Sequence, residues 1–336
     1  MGDIFLDSFD HYLDAHALRK WNTVVGAISS GRTNNGFVMD NGFGALVKNI
    51  SPATPSITMG VAIKYNAGNS ILSAYNSNDT SRVPEAALKY TGDGRLRMVI
   101  GNIELDPIPN LVLHSDSWYY TELSVSVSGS DTAATGFSVR LNNALMTSGT
   151  HVSTNGYTGT YTSTDERREY ANVKLSGPNR YDDFYAAPSG SFLGDGRIYV
   201  LRPNGDHATS DWTTAGTSTG TNDYNYINDT TPDDNTGYLT ATASGNTEFT
   251  EIEDISGFSG SIKALQAVWC IGSESNTTMG LLLDGTGTGG THTCSSIVVN
   301  TTYTYNCDGY VLSPFTGSAW TSGEVNAVKQ GIKLII

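Results

Sequence analysis

In Ser56-Ile57-Thr58-Met59-Gly60-Val61-Ala62-Ile63-Lys64 every second residue, Ile57, Met59, Val61 and Ile63, is large and apolar, and those between are small or polar. An extended chain puts alternate side chains on opposite faces, so this run predicts a β-strand with one buried face. The alternation returns in residues 118–127, where Leu123, Val125 and Val127 point one way and Glu122, Ser124 and Ser126 the other. Residues 96–100, 136–141, 171–175 and 196–201 repeat it. Turns separate the runs: Thr91-Gly92-Asp93-Gly94 suits a tight hairpin, because Asp-Gly tolerates positive φ, and Asn142-Asn143 closes the run before it. Helix exteriors need Glu, Lys, Arg and Ala in quantity, yet charged residues are only 15% of this chain, and 37 Gly and 18 Tyr stand among Thr, Val, Ser and Asn. The fold class is all-β, built as a sandwich.

A chain of 336 residues suits two domains. Residues 1–203 form the first. Residues 204–237 are rich in Thr, Ser, Gly, Asn and Asp and cannot bury a core of their own, which predicts a linker or an extended arm. Trp212, Tyr224, Tyr226 and Tyr238 punctuate it and are candidate assembly anchors; the alternative is that they dock on the second domain of the same chain. Residues 238–336 form that second β domain, with strands at 248–252, 261–269, 279–283 and 296–299 and a flexible loop at 285–290. Near its end Thr321-Ser322-Gly323-Glu324 is a capping box flanked by Trp320 and Val325, with Gly331 as a stop, and predicts a helix over 322–330. A final apolar strand at 332–336 requires a partner, in this chain or another.

The formal charge is -14, with no cluster of Lys and Arg among aromatics, which argues against nucleic-acid binding. No apolar run approaches the roughly 20 residues of a membrane span, so no membrane insertion is expected and the chain reads as soluble. Cys270, Cys294 and Cys307 are odd in number and lack Cys-x-x-Cys spacing; thiols are expected, with a bridge between Cys294 and Cys307 left open. Chemistry finds little footing. Glu251 and Glu253 share a strand face but lack the setting of a glycosidase pair, and there is no Gly-x-Ser-x-Gly elbow. The six histidines, His11, His16, His114, His151, His207 and His292, are scattered, and no enzymatic activity is expected.

The order of elements carries more. A strand at 57–63, a second with a turn at 86–100, the tryptophan-led strand opening at Ser117-Trp118-Tyr119-Tyr120, then Gly136-Phe137-Ser138-Val139-Arg140-Leu141-Asn142-Asn143 together resemble the concanavalin A-like lectin and laminin-G jelly rolls over residues 1–200. Asp7-Ser8-Phe9-Asp10-His11-Tyr12, Tyr181-Asp182-Asp183-Phe184-Tyr185, Phe192-Leu193-Gly194-Asp195, Asp211-Trp212-Thr213 and Trp320-Thr321-Ser322-Gly323-Glu324-Val325-Asn326 resemble structural proteins of tailed bacteriophages. That resemblance implies a lectin-like jelly roll followed by a smaller β-sandwich. It implies a non-enzymatic subunit of the virion, made in the host cytoplasm and placed in the tail, baseplate or fibre region, or else decorating the capsid. The implied partners are further copies of the chain and other virion proteins; a receptor-binding module for a host-surface glycan is the alternative. Lectin-like jelly rolls often hold calcium near their binding edge, and Asp182, Asp183 and Asp195 are the candidate ligands. The competing reading has Asp182 capping a turn and Asp183 meeting an arginine, Arg180 or Arg197.

Overall fold

The computed structural model describes residues 4–10, 14–32, 35–38, 45–66, 70–75, 86–100, 103–105, 108, 111–127, 134–152, 170–188, 191–216, 222–229, 234, 236–285 and 290–335. They divide into two compact units, Leu6–Ile198 and Tyr199–Ile336, the second also taking in Ile4 and Phe5. The fold is all-β, a two-sheet sandwich and then a smaller β unit with one short C-terminal helix.

The first unit packs two antiparallel sheets. In spatial order one runs Ala144–Val152, Ala134–Leu141, Trp118–Val127, Ser56–Lys64, Arg180–Ala187, Asn35–Val38 and Ala27–Ser30, with Phe5–Asp7 pairing the Arg180–Ala187 strand. The other runs Ile103–Glu104, Leu96–Ile100, Ala86–Tyr90, Ser70–Tyr75, Tyr170–Ser176, Ala45–Thr54 and Thr23–Val25. Its register lines up Leu46, Leu175, Leu72, Leu88 and Met98 as one row across five strands, each of them buried. Ile57, Met59, Val61 and Ile63 are fully buried in the first sheet. Each such side chain contributes about 1.5–3 kcal/mol through burial. Tyr90 and Thr121 join hydroxyls, and Tyr181 donates to the Ser176 carbonyl at 2.8 Å, so these three buried hydroxyls are answered.

The predicted turns form. Gly94 takes φ +78° between Tyr90 and Leu96, and Asn142 and Asn143 take φ 47° and 70° in the hairpin pairing Leu141 with Ala144. A helix that alternation did not signal, Asp14–Lys20, precedes Trp21, whose Nε1 donates to buried Asp7 at 2.6 Å. His11 lies outside the described residues.

Two expectations are corrected here. Ser56–Lys64 is buried on both faces, not one, because small Thr58, Gly60 and Ala62 leave room for another part of the chain to cover them. Residues 196–201 form no strand: the Ile198 N–H is taken by the Asp183 carboxylate at 2.9 Å rather than by a ladder.

In the second unit a five-stranded sheet runs Pro203–Ser210, Thr247–Ile252, Val328–Leu334, Thr277–Gly285 and Gly290–Val299. Thr213–Gly216 pairs with Gly237–Thr240, and Leu265–Ile271 with Thr304–Tyr310. The segment expected to be a linker or arm is thus built into this unit: Pro203–Ser210 finds Thr247–Ile252, and a 3-10 turn, Asp223–Tyr226, packs on it. Residues 217–221, 230–233 and 235 of that segment, and 286–289 of the predicted loop, lie outside the described residues. Cys270, Cys294 and Cys307 are half-buried thiols, so the bridge left open is not formed; burial pushes the Cys294 thiol up to about 11.

The core gathers Trp269, Leu281, Leu283, Trp320, Val325 and Val328. The Trp269 indole donates to the Gly331 carbonyl at 2.9 Å. The helix is shorter than expected, Ser322–Ala327, because Val328 turns extended to enter the sheet. Its capping box is formed as predicted. The Glu324 N–H donates to Thr321 Oγ1 at 3.1 Å, and the Thr321 N–H to Glu324 Oε2 at 3.0 Å. Thr321→Ala removes one half of this exchange and is expected to lower the second unit's stability by about 1 kcal/mol in urea denaturation; an unchanged midpoint would show the box to be dispensable.

Candidate functional site

On the outer face of the larger sandwich sheet, Tyr120 and Glu122 stand opposite Ala62 and Gly60, and Asp182 and Tyr185 stand opposite the same two residues from the other side. Between Asp182 and Tyr185 the register slips, and Asp183 sits at φ 48°. A bulge of this kind re-aims side chains, and here it brings Asp183 to the same face as its neighbours' polar groups. The Tyr185 ring lies where a β-carbon on Gly60 would sit, 2.2 Å from that point, so only glycine admits it.

This face is covered by residues 192–198 of the same unit. Tyr185 donates its hydroxyl to Glu122 Oε1 at 2.5 Å and accepts the Leu193 N–H at 3.2 Å. The same Glu122 oxygen accepts the Gly194 N–H at 2.8 Å, and Asn143 Oδ1 accepts the Asp195 N–H at 2.5 Å. Gly194 is needed at φ +88°, with Asn143 Oδ1 2.9 Å from its absent β-carbon. The Arg32 guanidinium grips Asp195 through both terminal nitrogens, at 2.7 and 3.1 Å, and the Arg140 guanidinium lies 4.3 Å over the Phe192 ring.

The three candidate calcium ligands fall into this same arrangement, and each carboxylate has other work. Asp182 lies in a strand and accepts the N–H groups of Arg32 and Asp183 rather than capping a turn, while Asp183 accepts the Ile198 N–H and meets Arg197 at 3.1 Å, an arginine that the competing reading named. Asp195 is held by Arg32. Among the described residues no three His, Cys, Asp or Glu side chains converge to hold a metal. Burial, followed by the adjacent Asp183 charge, pushes the Asp182 carboxyl up to about 7; burial also raises Asp183, opposed by the Ile198 N–H and Arg197.

Glu122 is the residue that alternation misplaced. It was expected on a solvated face with Ser124 and Ser126, and it is fully buried, with Oε2 lacking a hydrogen-bond partner. The available signal was its position as the lone carboxylate in a strand otherwise of Ser, Thr, Leu, Val and aromatics. As an ensemble these groups form a clasp: Glu122, Asp182, Asp183 and the Tyr185 hydroxyl each hold the chain's own backbone, and Asp195 is held by the Arg32 side chain. Tyr185→Phe takes a donor from Glu122 and an acceptor from Leu193, and is expected to cost the sandwich about 1.5–3 kcal/mol in urea denaturation. An unshifted midpoint would mean that this hydroxyl does not hold the covering segment.

The candidate anchors lie in the second unit. Trp212 packs half-buried against that unit's own core, its N–H donating to Glu248 Oε2 at 3.3 Å, so for Trp212 docking within the chain is what forms. Tyr224 and Tyr226 lie half-buried in the 3-10 turn, and Tyr238 is paired with Ala215. Glu251 meets Lys329, and Glu253 accepts the Arg202 N–H at 3.1 Å.

Glu248 is 2% exposed, and its Oε1 has no hydrogen-bond partner. Burial, with the charges of Asp223 and Asp206 adding to it, pushes its carboxyl from 4.5 up to about 7. The folded state therefore keeps a proton that the unfolded chain releases near 4.5. Stability from this group is full below that pH, falls as pH rises toward 7 and is level above. Glu248→Gln is expected to flatten that fall and to stabilise the unit at pH 8, read as slower hydrogen exchange in Thr247–Ile252; unchanged exchange at pH 8 would refute it.

No protein-family model matches the sequence, and no curated protein does. Solved structures of similar fold include a sialidase from Trypanosoma rangeli, 15% identical with a TM-score of 0.35 over 50% of this chain and 28% of that one. The alginate lyase Aly36B is 11% identical, with a TM-score of 0.39 over 56% of this chain and 97% of that one. The metal-free carbohydrate recognition domain of Emp46p is 11% identical, with a TM-score of 0.34 over 52% and 90%. The chain spans 28% of the sialidase's length. With TM-scores below 0.5, none of these likenesses bears on what this chain does. The structures include both glycan-active enzymes and a lectin domain.

Proposed function

We propose that this chain is a non-enzymatic structural protein of a tailed-bacteriophage particle, assembling in the tail, baseplate or fibre region with copies of itself and other virion proteins. The observation that carries the reading is the clasp. The polar side chains that could otherwise face a ligand on the open sheet, Glu122, Tyr185, Asp183 and Arg32, are engaged with residues 193–198 of the same chain. The sandwich is then a rigid body for display and contact rather than a cleft for reaction. The resemblance of short sequence phrases to phage structural proteins suggests the setting, and capsid decoration is the variant of the same role. Sheet extension does not run through the terminal strand, because Val328–Leu334 is paired on both sides within its own sheet.

One observation favours a carbohydrate-binding reading as the second choice. Tyr199 is 68% exposed and meets Phe258 edge to face at 6.4 Å, an aromatic pair of the kind that stacks on sugar rings. Immunogold electron microscopy of purified particles, with antibody against this chain, separates the placements. Label on the tail is the expected result, label on the shell moves the chain to capsid decoration, and its absence from particles overturns the structural role. A glycan array that lights up with the wild type and goes dark with Tyr199→Ala would establish the second reading instead.

A further inference from the structure

We propose that the edge strand Gly290–Val299 pairs antiparallel with the same strand of a second copy of this chain, joining two five-stranded sheets into one. The proposal deepens the assembly reading above and rests on it for its setting. The sheet has two edges, and they differ. Pro203–Ser210 opens with a proline, carries Asp206, is irregular between Asp206 and Ser210, and is capped by the 3-10 turn through the Tyr224 N–H to Asp206 at 2.9 Å and the Ser210 hydroxyl to Asp223 at 2.5 Å. These are the devices that keep an edge from pairing.

Gly290–Val299 has few of them. It is ten residues long, holds no proline and no Asp, Glu, Lys or Arg, its one titratable side chain besides Cys294 being His292, 3.2 Å from the Tyr310 hydroxyl, and among the described residues pairs on one side only, with Thr277–Gly285. Its register slips once, at Cys294, which leaves Ser295-Ser296-Ile297-Val298-Val299 as a regular run. Within that run Ile297 packs on the core while Val298 is 71% exposed.

Charge selects the occupant. The chain carries -14, so two copies repel wherever their acidic surfaces meet. From Asp284 to Asp308 there is no Asp, Glu, Lys or Arg between those two ends, which makes this edge a place where two copies meet without opposing charge. Antiparallel pairing centred on Ile297 sets Ser296 of each copy against Val298 of the other and reproduces the same contacts under a two-fold axis, the symmetry of a closed dimer. The free N–H and C=O groups of the strand supply the bonds, as in other strand additions.

Light scattering coupled to size exclusion, on the full chain across the micromolar range, tests this. A concentration-dependent dimer is expected, and Val298→Lys is expected to raise its dissociation constant about tenfold or more. Because Val298 is exposed, the variant should melt with the wild type. Ser296→Lys, also at an exposed position, should act in the same direction. Leu145→Lys, on the exposed edge of the sandwich, is the control and should leave the dimer intact. A wild type that stays monomeric, a dimer unmoved by both lysines in the run, or one dissociated by Leu145→Lys would overturn the proposal. A monomer in solution whose antibody still labels particles would sink the pairing and leave the structural role standing; a dimer absent from particles would do the reverse.

Discussion

The strand Ser56–Lys64 is buried on both faces, and the rest of the sandwich is arranged to make that possible. On its inner side Ile57, Met59, Val61 and Ile63 meet the second sheet by apolar contact alone. The outer side is harder to close, because neighbouring strands present Glu122, Asp182 and Asp183 there. A carboxylate cannot leave water without hydrogen bonds or charge partners. The chain meets that demand by laying residues 192–198 over the sheet with backbone N–H groups turned toward the acids, and by placing Arg32 and Arg197 at the rim.

Seen this way, several local oddities share one cause. Gly60 lacks a side chain because the Tyr185 ring fills its space, Gly194 bends at positive φ so that its N–H reaches Glu122, and Asp183 takes a left-handed conformation that carries its carboxylate to Ile198. The second unit has a smaller version of the problem. Glu248 is buried beneath Ser210 and the 3-10 turn with only one of its oxygens answered, and it responds by holding its proton to about 7.

The two edges of the second unit's five-stranded sheet are treated differently. Pro203–Ser210 is blunted by a proline, an irregular register and a packed turn, whereas Gly290–Val299 keeps a regular, uncharged run at its end. A protein of high net negative charge can leave such an edge open without general self-adhesion, since repulsion elsewhere confines association to that place. The clasp closes the polar face of one unit, while the other keeps a regular, uncharged run on one sheet edge.

Much of this was legible in the chain. Period-two alternation located Ser56–Lys64 and Trp118–Val127, Asp93-Gly94 and Asn142-Asn143 marked the turns that follow Ala86–Tyr90 and Ala134–Leu141, and Thr321 with Glu324 marked the helix start, because strand faces, tight turns and caps are set by residues a few positions apart. The helix end, the absent strand at 196–201, the pairing of Pro203–Ser210 and the burial of Glu122 were not legible. Each depends on a partner distant in the sequence: Val328 leaves the helix to join Thr247–Ile252 and Thr277–Gly285, Pro203–Ser210 finds Thr247–Ile252, and Glu122 is enclosed by Gly194. Alternation can state that a strand has two faces. Which of them meets solvent is decided only when the whole chain has packed, since the residues that cover a face need share no local pattern with it.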